Sequence, residues 1–138
     1  MTQKRNPKDI VGASKVALSC VPANVIMEVA VALQEGARKY GRHNYREIPV
    51  SMEEYYNAAQ RHLMRWWEGG DIDKASGLNE ITKAIAGLCV LRDAMMRGMA
   101  MDDRPPKSPE FIEPMNEAVK LLIKKYPKSK PPVTEKKQ

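Results

Sequence analysis

Four stretches of this chain repeat apolar residues three or four positions apart, and each is bounded by Gly, Ser or Pro. That spacing returns side chains to one face of a helix and to neither face of a strand. The first stretch runs from Pro22 or Ala23 to Tyr40, with Val25, Val29, Ala32, Leu33 and Gly36 on its stripe and Gly41 as its stop. The second runs from Ser51 to Trp67 and ends at Gly69-Gly70. Ser51-x-x-Glu54 reads as a capping box, in which hydroxyl and carboxylate each satisfy an orphan amide. Tyr55, Ala59, His62, Leu63 and Trp66 share one stripe of this helix, and Arg61 and Arg65 the next. The third runs from Gly77 to Arg97, with Ser76 or Asp73 as its cap. Leu78, Ile81, Ile85, Leu88, Cys89 and Ala94 are its expected core face, while Ala84 and Gly87 allow close helix approach. The fourth runs from Ser108 to Lys125, with Phe111, Ile112, Met115, Ala118, Val119, Leu122 and Ile123 on one stripe.

The apolar residues are mostly Ala, Val, Ile, Leu and Met, with one Phe, which favours packed helices over a sheet. The expected fold is all-α, a bundle of about four helices, with one domain over residues 1–125 and a Pro/Lys-rich tail over 126–138. The broad stripe of the fourth helix needs a partner surface, so a homo-oligomer, dimer or tetramer, is expected. No apolar run approaches the ~18 residues of a membrane span. The start MTQKRNPKD lacks the apolar stretch of a signal peptide, so a cytoplasmic protein with no membrane partner is expected. Cys20 and Cys89 have no metal-type spacing and read as reduced core thiols.

The net charge of +6 is a property of one end. Residues 1–119 hold 16 Lys/Arg and 16 Asp/Glu, whereas residues 120–138 hold seven Lys and one Glu. Such a tail solubilises, or touches acidic surfaces. The rest of the chain carries no recognised DNA-binding motif, so nucleic acid is not an expected partner.

Residues 35–78 concentrate the chemistry. The loop ARKYGRHNYR places Arg38, Lys39, Arg42, His43 and Arg46 around Tyr40 and Tyr45. Guanidinium and ammonium groups suit phosphate oxygens, and tyrosine rings suit a base. The same loop reads equally as a solvated basic turn. Asn44 either reads a base edge or holds the turn. Arg61 is a candidate phosphate contact. His62, beside Trp66, is either a packed histidine or part of the site. Glu68, Asp71, Asp73 and Glu80 form an acidic set, joined by Glu28, Glu35 and Glu54 from earlier helices. Mg²⁺ needs one or two carboxylates plus phosphate oxygens and waters, and facing helices can supply them. Glu35 and Glu80, with Asp73, are the preferred metal ligands; each is otherwise a solvated carboxylate or a cap.

The blocks ALSCVPANVIMEVAVALQEGARKYGRHNYRE and YYNAAQRHLMRWWEGGDIDKASGL resemble the phage-type dATP/dGTP diphosphohydrolase family, related to the all-α NTP pyrophosphatases (MazG-like). Gly36, Lys39, Tyr40, Gly41, Asn44, Tyr45, Arg46, Arg61, His62, Asp73, Ser76, Gly77 and Leu78 carry the resemblance, which spans about residues 15–97. Tyr45 stands where Trp is usual, and Glu80 and Lys83 stand where many relatives carry His-x-x-His. The resemblance implies an oligomeric helical enzyme that splits a purine dNTP, dGTP or dATP, to dNMP and pyrophosphate with Mg²⁺ or Mn²⁺. Read from position and residue chemistry, the expected catalytic set is Glu35, Glu80 and Lys39. The expected substrate contacts, from the same reading, are Lys39, Tyr40, Arg42, Asn44, Tyr45, Arg46, Arg61 and His62. The alternative is a protein that binds a nucleotide, or a nucleotide second messenger, without turnover. In a phage-encoded enzyme the setting is the host cytoplasm.

Overall fold

Each periodic stretch forms a helix in the computed structural model, which describes residues 2–135. The described helices are α1 (Pro7–Gly12), α2 (Ala23–Tyr40), α3 (Met52–Trp67), α4 (Glu80–Met96) and α5 (Ile112–Lys125). The only paired strands among the described residues are β1 (Val50–Ser51) and β2 (Ala100–Met101), so the chain is all-α as expected. No described helix is long and apolar enough to cross a membrane.

The chain divides into two units, Met1–Arg104 and Pro105–Gln138. The division falls ahead of α5, at Pro105-Pro106, two residues without a backbone N–H to pair. In the second unit α5 is amphipathic and starts on Glu110, whose carboxylate accepts from the Ile112 amide at 2.7 Å. The tail follows it, and residues 136–138 lie outside the described part.

In the first unit α4 is the central helix and packs against both α2 and α3. Its small residues make this possible: Ala84, Ala86 and Ala94 are buried, and no large side chain holds the neighbouring helices away. Val29 and Ala32 of α2 meet Ala86, with Leu33 and Leu78 packed around them. Thr82 of α4 donates to the Glu28 carboxylate of α2, a polar tie between the same two helices. The sequence expectation for α4 is corrected here. Ile85, Leu88 and Cys89 are exposed, while Glu80 and Thr82 are buried. The helix is apolar on more than one side, and α2 and α3 claim the face that carries its alanines. Cys20 is exposed as well, so neither thiol belongs to a core.

Helix ends follow local chemistry. Ser51 accepts from the Glu54 amide at 3.1 Å, the hydroxyl half of the expected capping box; the Glu54 carboxylate makes no return bond among the described residues. Asp103 completes this cap: it accepts from the Ser51 hydroxyl and, at 2.8 Å, from the Glu53 amide. The parallel pairing of Val50 with Ala100 and Ser51 with Met101 brings Asp103 there. Helix α4 starts later than expected, because Gly77 adopts φ +74° and Asn79 becomes the cap, accepting from the Ile81 amide at 2.8 Å. Helix α1 was not expected. Asn6 caps it and Pro7 opens it, a pairing that reads as a helix start once noticed.

Candidate active site

The site begins with the turn between α3 and α4. Helix α3 ends where Gly69 takes φ +99° and the Gly70 amide donates to the Arg65 carbonyl at 2.9 Å. The chain then folds back on itself. The Asp73 amide donates to Leu78 at 2.8 Å, the Gly77 amide to Asp73 at 2.7 Å, and the Glu80 amide to Asp71 at 2.9 Å. Asp73 stabilises the turn from within, accepting from the Ser76 hydroxyl at 2.6 Å and the Ser76 amide at 3.0 Å. These bonds bring Asp73 beside the first residue of α4.

That first residue, Glu80, is the largest fully buried side chain in the described chain, at 2% exposure. A carboxylate so far from water needs a polar partner. It has one: Glu80 Oε2 lies 2.5 Å from His62 Nδ1 on α3. Ligand atoms of His62, Asp73 and Glu80 all lie within 4.8 Å of one another, the one such cluster among the described residues. The Ser76 hydrogen bonds, foremost, hold the Asp73 carboxyl below its usual range, and the charges of His62 and Lys83 act in the same direction. One imidazole and two carboxylates suit a divalent cation.

Beside the triad lies a cavity of about 650 Å³. His62 belongs to its wall and is the member of the triad that borders it; Asp73 and Glu80 lie behind His62. Tyr40, Arg42, Asn44, Tyr45, Tyr55 and Lys83 contribute other parts of the lining. Burial raises the Tyr55 phenol above its usual pKa, with smaller contributions from Tyr40 and Tyr45. The basic loop enters this wall through a costly conformation: His43 has φ +62°, in the left-handed region that side chains seldom adopt.

The structure separates the residues singled out from sequence. Tyr40, Arg42, Asn44, Tyr45 and His62 share the cavity wall. Asp73 and Glu80 meet in the triad with His62, and Glu35 is not in that cluster. Glu35 instead contacts Lys39 Nζ at 2.6 Å and Lys83 Nζ at 3.7 Å. Lys39 is the main cause of its lowered pKa, and Glu35 in turn raises that of Lys39. Glu35 and Lys39 line a second, more open depression of about 530 Å³, with Arg38 and Ser76. Arg46 is committed elsewhere: its Nε and an η nitrogen reach the Asp93 carboxylate at 3.0 and 3.1 Å, which fastens the loop to α4. Arg61 is exposed and lines neither space. Sequence reasoning did not place Tyr55 and Lys83 in the site. Tyr55 shares a stripe with His62, and Lys83 follows Glu80 by one turn, so helical spacing carried a signal for both.

Residues 5–104 match the family described as dATP/dGTP diphosphohydrolase, N-terminal. The chain belongs to this family. The match ends where the first unit ends, so the triad, the cavity and the basic loop all lie within the family domain. A dATP/dGTP diphosphohydrolase of Salmonella phage PMBT28 is 30% identical over 90 residues. That alignment covers 65% of this chain and 30% of the relative, so the chain spans about a third of the length of the protein it matches. No solved structure matches the chain.

Proposed function

We propose that this dATP/dGTP diphosphohydrolase N-terminal domain cleaves a purine deoxynucleoside triphosphate, dGTP or dATP, to the monophosphate and pyrophosphate. The observation that carries the reading is the His62–Asp73–Glu80 cluster, whose His62 borders a cavity lined by tyrosines and cations. The volume, about 650 Å³, lies within the usual range of small-ligand sites, roughly 300–1,000 Å³. The family membership and the name of the phage relative favour the same chemistry.

His62, Asp73 and Glu80 would hold the metal. When bound, a divalent cation offsets charge on the phosphoryl oxygens and lowers the pKa of a nucleophilic water. An imidazole in the donor set suits Mn²⁺ better than Mg²⁺, which prefers oxygen ligands alone. Tyr40, Tyr45 and Tyr55 offer ring faces and hydroxyls to base and sugar, and Asn44 a two-way hydrogen-bonding edge. Arg42 faces the same space and neutralises phosphate. Water attacks phosphorus, one P–O–P bond breaks, and pyrophosphate leaves with the bridging oxygen.

The working form in this reading is a homo-oligomer acting on free nucleotides. Among the described residues, the buried apolar ones are Val29 and five alanines, with no Leu, Ile, Met, Phe or Trp. Trp67, at 78% exposure, and Leu88 of the central helix stay uncovered. Exposed apolar surface on this scale marks an association face. Chromatography of each dNTP after incubation with Mn²⁺ or Mg²⁺ tests the proposal. Equimolar dNMP and pyrophosphate from dGTP or dATP is the expected result. Tight binding with no product in any divalent metal overturns it in favour of nucleotide sequestration.

A further inference from the structure

Lys83 stands three residues after Glu80 on α4, a spacing that makes the two side chains neighbours on one helical face. Its side chain is 20% exposed, and it lines the 650 Å³ cavity. Among the described lining residues, Arg42 is the other Lys or Arg. The remaining candidate cations are placed differently. Lys39 borders the second depression, Arg46 is bound to Asp93, and Arg61 lines neither space. Lys83 is thus the cation that the cavity shares with the helix bearing Glu80.

Its present partner holds it loosely. Glu35 accepts a short bond from Lys39 at 2.6 Å, whereas Lys83 Nζ lies 3.7 Å from the other oxygen of the same carboxylate. A separation of 3.7 Å is an ion pair without a hydrogen bond. One carboxylate between two ammonium groups leaves one positive charge over. The cavity borders His62, which stands in front of the Asp73 and Glu80 carboxylates, so a polyphosphate reaching toward that cluster needs fixed positive charge to offset them.

We infer, resting on the nucleotide reading above, that Lys83 is a phosphate-binding residue of this site and that Glu35 is the counter-ion it exchanges for phosphate. The Lys83 ammonium leaves Glu35 for a polyphosphate oxygen, while Lys39 stays on Glu35 and keeps that carboxylate neutralised. Glu35 then acts through the lysines and not as a metal ligand.

Calorimetry on the full chain tests this with inorganic tripolyphosphate, deoxyguanosine and Mn²⁺ as separate probes. Lys83→Ala is expected to weaken tripolyphosphate about tenfold or more and to leave deoxyguanosine within about twofold, since one charge-assisted contact is lost. Lys83→Arg keeps most of the tripolyphosphate affinity. Glu35→Gln tightens tripolyphosphate and leaves Mn²⁺ binding at the wild-type level. Unchanged tripolyphosphate binding in Lys83→Ala overturns the assignment, as does an equal loss for deoxyguanosine, which marks a role in cavity shape. A loss of Mn²⁺ affinity in Glu35→Gln overturns the role given to Glu35. Lys83→Met, which keeps the aliphatic stem, replaces Lys83→Ala if circular dichroism shows the latter unfolded. Tripolyphosphate binding that depends on Lys83 in a chain that hydrolyses no dNTP would sink the hydrolase reading and leave this one standing.

Discussion

Replacing Glu80 by Gln separates the cost of a buried charge from its use. Glu80 is 2% exposed, and its Oε2 lies 2.5 Å from His62 Nδ1. Burying an ion costs several kcal/mol, which a metal or a charged partner offsets. Gln keeps the shape and one acceptor oxygen for the imidazole N–H, so that contact persists. Without divalent metal, Glu80→Gln should therefore be as stable as the wild type or more so. With Mn²⁺ the order reverses. At a free metal concentration 100 times Kd, binding stabilises the native state by about 2.7 kcal/mol. For a unit of this size each kcal/mol moves Tm by about 4–8 °C, so the wild type should gain about 10 °C or more. Glu80→Gln should gain little, and it should lose turnover. Thermal melts of both proteins in EDTA and in a Mn²⁺ series measure this directly. An equal Mn²⁺ shift in the variant would refute the ligand assignment. A loss above about 2 kcal/mol in EDTA would show that the charge itself holds the fold together.

Three further outcomes are expected. Arg46 holds the Asp93 carboxyl below its ordinary value, so this pair stabilises fully above about pH 4, the unfolded carboxyl's range, and the contribution is lost as pH falls through the lowered value. Arg46→Ala should reduce that acid-side loss in a Tm-against-pH series, Arg97 remaining 3.3 Å from the same carboxylate, and should loosen the basic loop, read as faster amide exchange at residues 44–48. Asn79→Ala deletes the α4 cap and should cost about 1 kcal/mol in urea unfolding. Leu88→Asp puts a charge on the exposed apolar face of α4 and should shift sedimentation toward the 15.6 kDa monomer, while an unaltered profile would place the association face elsewhere.

Helices were legible because their signals are local. Gly41 stops α2, Ser51 caps α3, and Gly69-Gly70 ends it, each acting within a few residues of itself. The start of α4 slipped because Ser76 and Asp73 are as good caps as Asn79 in composition, and only the left-handed Gly77 decides among them. Burial on α4 was misread for a different reason. A helix with Ile, Leu and Cys on one side and Ala on another gives no single stripe, and helix proximity selected the alanines. In the site, the composition of the basic loop pointed to the cavity wall, and Asp73 and Glu80 stood close in sequence. The pairing of Arg46 with Asp93 was invisible, since 47 residues separate them. The placing of Glu35 between two lysines depends likewise on how α2 lies on α4.

The tie between Ser51 and Asp103 carries a consequence for the order of events during synthesis. The α3 cap borrows an acceptor made 52 residues later, and β1 finds its partner 50 residues downstream. Pairings of such sequence range form late, because the intervening chain must first give up its freedom. Until residues 99–101 have been made, the segment 41–50 is anchored through α2 and through the Arg46–Asp93 pair to α4. A nascent chain thus carries its helices before the start of α3 is finished, and an amber stop just short of residue 103 would leave a helical protein that keeps the Arg46–Asp93 pair but lacks the Asp103 half of the α3 cap.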